Sequence, residues 1–372
     1  MKLRRFLVTI FSIIVVIVFV FIIHRHTSLN RVYLHGIDHP PIAFSENDNL
    51  FIYKDFFAIS GQSLNFYNNR GQQIDMPFDF VDEFNQSFTI TDMTSNYILI
   101  NSRFIYKVHD SKLHHIYSLD STAVKIMEYG EYLLILVDIP DEGLRVQVLD
   151  IKNENLTNLG FDDNFYYLDS DSSSDDSNLS ILALDVNGTF PSSKVLHYDE
   201  NLSLFGVNTT IDKFYYRVFR LPSFSILVGN RELVCYNVEG DFEWSIENNG
   251  MNNFQIVQNN SEILIYLDRN LAKSLDEDYY NGVYIDKDGQ RHNIKFPSGL
   301  TNISLYKDDK FFGLQHGNKL LIFDKKGNIV LEFYIEEDVK SIFWNQYDPN
   351  NFFIITIDGK LQIYSIERED IL

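Results

Sequence analysis

The chain has 372 residues, a single cysteine (Cys235), 15% aromatic residues and a formal charge of −21. One cysteine excludes an internal disulfide, and with it a cysteine-stapled scaffold. The acidic balance, with no basic run and no basic patch interleaved with aromatics, excludes nucleic acid as a partner.

The first element is apolar. Phe6 to Ile23 reads FLVTIFSIIVVIVFVFII, 18 residues without a charge. At ~1.5 Å per helical residue this nearly spans a hydrocarbon core of about 30 Å. Lys2, Arg4 and Arg5 precede it and Arg25 follows it, and the bulky VFVFIIHRH offers no small-residue cleavage site. The segment reads as an uncleaved signal anchor with a cytoplasmic N-terminus, a cleaved signal peptide being the alternative. The expected layout is a single-pass membrane protein: residues 1–5 cytoplasmic, 6–23 the transmembrane helix, 24–30 a juxtamembrane linker, and 31–372 an extracytoplasmic body. Without residues 1–26 that body carries 27 basic groups against 52 acidic ones, a charge of −25.

From Arg31 onward one phrase recurs: an apolar run, a turn opened by Asp or Asn, and a second apolar run. The copies are FYNNRGQQIDMPF, YKVHDSKLHHIYSL, VLDIKNENLTNLGF, LHYDENLSLFGV, CYNVEGDFEWSIE, YIDKDGQRHNIKF, LLIFDKKGNIVLEF and LQIYSIEREDIL. Their aligned turn residues are Asn68, His109, Asp150, Asp199, Asn237, Asp286, Asp324 and Ser365, spaced by 38 to 49 residues. Four copies place glycine three residues on, at Gly71, Gly240, Gly289 and Gly327, where a positive φ closes a hairpin with a bulge. Two more strand-like runs stand upstream of each phrase, for example AVKIMEY and YLLILVD in the third unit. Four strands in about 42 residues make a β-propeller blade. The fold class is therefore all-β: an eight-bladed propeller (seven if one irregular unit is miscounted) after one N-terminal transmembrane helix. The last unit lacks a fourth strand, and an open ring leaves a bare edge. The run RVYL at Arg31–Leu34 is expected to supply it. LDRNLAKSLDEDYYNG reads as an insertion within blade six.

The phrases YNVEGDFEWSIE and FDKKGNIVLEFYI resemble the repeats of quinoprotein-like propellers, and the Asp-x-x-Gly turns are similar to those of WD40-like (YVTN-type) repeats. The resemblance covers roughly residues 31–372 and implies a fold. The eight-unit count matches both the quinoprotein alcohol dehydrogenases and the outer-membrane assembly propeller of the Bam complex. The chain departs from the first in lacking a vicinal disulfide and from the second in lacking a lipid-bearing cysteine, so no site residue carries over.

Candidate sites are few. DSDSSSDDSN offers Asp169, Asp171, Asp175 and Asp176 as weak calcium ligands, although it lacks the glycine and the final glutamate of a calcium loop; a solvated loop is the competing reading. His109, His114 and His115, and the loop pair His35 and His39, fall short of a metal site, since strand neighbours face opposite ways. Cys235 lies within a strand and reads as core. Neither a nucleophile elbow nor a phosphate loop is present. Eight Asn-x-Ser/Thr sequons occur, among them Asn187 and Asn302. The residues call for no cofactor and name no catalytic group. The reading is a membrane-anchored, extracytoplasmic, non-catalytic propeller that binds a protein or peptide on one face. The alternative is a propeller that binds or processes an envelope glycan with a carboxylate pair in its central funnel.

Overall fold

The computed structural model describes residues 32–79 and 88–368, apart from 248–253, 268–280 and shorter internal stretches of one to four residues. Every regular element in these residues is a β-strand, and the strands form eight antiparallel sheets. The expected transmembrane segment 6–23, its flanks and most of the expected insertion in blade six lie outside the described residues.

Blade 1 uses Asn49–Ile52, Phe56–Ser60, Leu64–Asn68 and Gln73–Ile74 in that order. The same meander repeats in blade 2 (Ile90–Met93 to Lys112–Ser118), blade 3 (Thr122–Tyr129 to Asn155–Asn158) and blade 4 (Phe165–Ser173 to Leu204–Thr210). It continues in blade 5 (Tyr215–Leu221 to Phe242–Glu247), blade 6 (Phe254–Gln258 to Arg291–Ile294) and blade 7 (Leu300–Tyr306 to Ile329–Tyr334). The blade count is eight.

Blade 8 has three strands of its own, Val339–Trp344, Asn351–Thr356 and Lys360–Arg368. Its fourth is Val32–Gly36 from the other end of the fold, paired antiparallel so that Val32 faces Arg368 and Gly36 faces Tyr364. The closing strand expected at Arg31–Leu34 is thus present. A short second strand, Ile42–Ala43, extends the closure by pairing with Leu361 and Lys360. Ser365 is a correction: it opens no turn but lies within the last strand, between Asn351 and His35, because its blade is completed from outside the phrase.

The turns follow their local chemistry. Asp324 accepts N–H bonds from Lys326 and Asn328 on one carboxylate oxygen, and the backbone closes from Gly327 N to Asp324 O at 2.9 Å. Asn68, Asn237 and Asp286 close their turns on Gly71, Gly240 and Gly289 in the same way. Three turns manage without glycine: Asp110 (φ 49°), Glu154 (φ 52°) and Leu202 (φ 59°) take the left-handed conformation instead.

Each of the eight apolar clusters sits between two consecutive blades. Phe57 and Phe353 meet edge to face across the closure at 4.9 Å, and Tyr284 meets Phe311 between blades 6 and 7 at 5.3 Å. Large flat rings fill the flat gap between two twisted sheets, which accounts for the aromatic content. The seam between blades 4 and 5 is the exception. Its cluster is the smallest, and Ser180, Ser193, His197, Arg220 and Ser225 are buried there beside Tyr215.

Candidate functional site

The first strand of each blade lies innermost, where neighbouring first strands come together around the axis. An inner edge strand leaves backbone N–H groups unpaired, and each must find a partner. Side chains from adjacent blades supply several. Asp92 of blade 2 accepts from Ile126 N of blade 3 at 2.8 Å. Asp169 and Asp171 of blade 4 accept from Val218 N (3.0 Å) and Arg220 N (2.6 Å) of blade 5. Asp171 also accepts from the Gln258 amide of blade 6 at 2.6 Å, so one carboxylate ties three blades.

A register shift interrupts the first strand in blades 2, 3, 4, 5, 7 and 8. Such bulges re-aim the side chain that follows. In blades 2 to 5 the residue after the shift is Asp92, Lys125, Asp169 and Arg217 in turn, which sets charges of alternating sign around one arc of the ring. Burial pushes the Asp92 and Asp171 carboxyls up, while their backbone donors and the Lys125 ammonium draw both back down.

Between blades 4 and 5, Ser180 Oγ lies 2.9 Å from His197 Nδ1. The Asn208 amide nitrogen faces His197 Nε2 at 3.1 Å, so the ring accepts there and donates from Nδ1 to Ser180. Burial, seconded by the Arg220 guanidinium, lowers the His197 pKa to about 4. A serine beside a histidine is half of a nucleophilic pair. Here both are closed to substrate, at 0% and 1% exposure, and an amide stands where an orienting carboxylate would. The Arg220 side chain, also fully buried, donates to Pro222 O at 3.0 Å and to Ser225 Oγ at 3.4 Å. The cluster fixes the seam.

The closure makes a cleft of about 420 Å³ between the 37–41 loop and the last strand. Glu337 forms part of its wall, accepting from Gln362 Nε2 at 3.0 Å and from the Tyr364 hydroxyl at 3.1 Å. The Gln362 amide holds the Glu337 carboxyl below its usual range, and burial raises the Tyr364 phenol to about 12. Asp38, His39 and Lys360 complete the polar part. None of the described lining residues is Ser, Thr or Cys. The cleft can accept a hydrogen bond or face a cation; it presents no side-chain hydroxyl or thiol nucleophile of the Ser, Thr or Cys type.

Asp169 and Asp171, proposed from sequence as calcium ligands in a loop, belong instead to a strand that runs to Ser173; Asp175 and Asp176 lie outside the described residues. His114 pairs with Asp79 at 3.0 Å, while His115 turns to Ser118 at 2.9 Å and stacks edgewise on Tyr106. His109 pairs with Asp110. His35 is strand rather than loop, facing Ser365, and His39 lies against Gly71 of blade 1. Among the described residues no three His, Cys, Asp or Glu side chains gather around one point. Cys235 is buried in its strand, its thiol pushed up to about 12 by that burial. Sequence reasoning missed His197 and Glu337, whose partners lie on other strands, and Arg220, whose bonds to Pro222 and Ser225 show only once the side chain is buried in the seam.

No family model and no curated protein matches the chain. Among solved structures it is similar to BamB from Moraxella catarrhalis, at 11% identity over 89% of this chain and 99% of that one, with a TM-score of 0.49. It is also similar to the Pan2 WD40 domain from Neurospora crassa, at 8% identity over 91% and 96%, with a TM-score of 0.47. The propeller assignment rests on the blade register above and draws nothing further from these two.

Proposed function

We propose that the chain is a membrane-tethered, extracytoplasmic propeller whose disc serves as a protein-binding scaffold. One observation carries the reading: the strand that closes the ring begins at Val32, nine residues after the apolar run ends at Ile23. The fold is thus sewn shut at the point where the chain leaves the tether. The charged groups of the inner strands support a binding rather than a chemical role, since Asp92, Asp169 and Asp171 are committed to backbone N–H groups.

The test is affinity capture of the full-length tagged chain from crosslinked native membranes, read by mass spectrometry. A partner at near-equal abundance supports the scaffold reading; a clean bait overturns it. Carbonate washing of the same membranes checks the tether separately: an integral protein stays in the pellet.

A further inference from the structure

The outer rim of a propeller is a set of edge strands, and an unprotected edge pairs with whatever strand it meets. Four rim strands here are long enough to act as templates. Lys112–Ser118 carries Lys112 and two histidines, Phe242–Glu247 carries two glutamates, and Ile329–Tyr334 carries Glu332. Such charges are the usual guards of an edge. Leu204–Thr210 of blade 4, LFGVNTT, has seven residues and no charge. Leu204, Phe205 and Val207 are 52%, 50% and 47% exposed, and among the described residues nothing pairs with the strand's outer edge.

The surroundings say what would cover it. The turn of blade 5 leans on this strand, since a Cβ on Gly240 would meet Asn208 Oδ1 at 2.4 Å. That turn, the start of the strand after it and the turn preceding Leu204 present four exposed carboxylates: Glu239, Asp241, Glu243 and Glu200. The nearby Lys194 and Lys213 are already paired, with Asp185 and Glu232. The result is an apolar, uncharged edge bordered by acid. Blade 4 also stands four blades from blade 8, so this rim lies across the disc from the closing strand Val32–Gly36.

Resting on the scaffold reading above, we infer that Leu204–Thr210 accepts an extended segment of a partner protein as a fifth strand of blade 4. The segment alternates apolar or β-branched side chains and is flanked by lysine or arginine. Main-chain hydrogen bonds supply the affinity and the flanking cations supply the selection.

The test uses the full-length chain in detergent micelles and a fluorescein-labelled peptide, Lys-Lys-Val-Thr-Val-Thr-Val-Lys-Lys, read by anisotropy. Val207→Lys is expected to weaken binding about tenfold or more by guarding the edge, while Val330→Lys on the rim of blade 7 leaves it unchanged. A peptide N-methylated at alternate residues, which cannot pair, and a peptide flanked by glutamate should both fail to bind. Should Val207→Lys unfold, Thr209→Lys, also at an exposed position of the strand, replaces it. Equal binding by the N-methylated peptide, or equal loss from Val330→Lys, overturns the inference. So does self-association of the peptide-free chain that Val207→Lys abolishes, which would make the occupant a second copy. A partner captured equally well by the Val207→Lys chain sinks this inference and leaves the scaffold reading standing.

Discussion

Asp171 accepts the backbone N–H of Arg220 across the seam between blades 4 and 5, at 2.6 Å and 49 residues apart in sequence. The bond needs an acceptor of that shape, and burial makes the negative charge costly. Asp171→Ala should therefore lower unfolding stability by about 2–3 kcal/mol by orphaning two donors, while Asp171→Asn stays within about 1 kcal/mol at pH 7. A folded pKa raised above the unfolded one gives stability that falls as pH rises through the folded value. The asparagine variant should lack that slope in urea titrations run from pH 4 upward.

His197 gives the opposite sign. Its folded pKa of about 4 lies below the unfolded value of 6.5, so its contribution is fully present above pH 6.5 and drains away as pH falls toward 4. Between pH 7 and pH 5 the chain should lose about 2 kcal/mol through this group alone. His197→Gln, compared with the parent by urea unfolding at both pH values, should remove most of that difference.

Two glycines with similar backbones should respond differently. Gly289 has φ +73°, and a Cβ there would sit 2.2 Å from the Phe224 ring of blade 5. Gly317 has φ +82° with open space around it. Gly317→Ala should cost about 1 kcal/mol from the backbone alone, and Gly289→Ala about 2–4 kcal/mol because the seam must also give way. Thermal melts of the two variants side by side check the difference.

Closure predicts a sharper effect. Leu34 faces Ile366 and packs on the cluster between blades 7 and 8. His35 faces Ser365, in step with the Ile37 N–H that donates to Ile363 O, so His35→Pro removes a ladder donor and bares the last strand. The variant should elute as aggregate on size exclusion and lose amide protection from Lys360 to Arg368 first.

What was legible in the sequence was local. The Asp-x-x-Gly turns at Asn237, Asp286 and Asp324 announce themselves within five residues, and their spacing gives the blade count. The closing strand was legible because the last unit stops one strand short. The first-strand bulges were not, since Asp92, Lys125, Asp169 and Arg217 acquire a common role only once blades 2 to 5 stand side by side. DSDSSSDDSN misled for the same reason: its composition is that of a loop, yet Asp169 and Asp171 are polar because the next blade's backbone needs acceptors. The end of LHYDENLSLFGV read as one more apolar run; the strand continues to Thr210, and only the charges on its rim counterparts make its bareness visible.

The position of Val32–Gly36 divides the chain into two places where a cut has opposite consequences. Severing the chain before Val32 leaves the ladder to Arg368 whole and sheds a closed disc. Severing it between Gly36 and Ile42 leaves the closing segment as a separate piece, held to the disc by its backbone bonds, by the Tyr33 hydroxyl on Glu367 and by the packing of Val32 and Leu34. A protease acting at the first place leaves a closed ring; one acting at the second opens a way to unravel it.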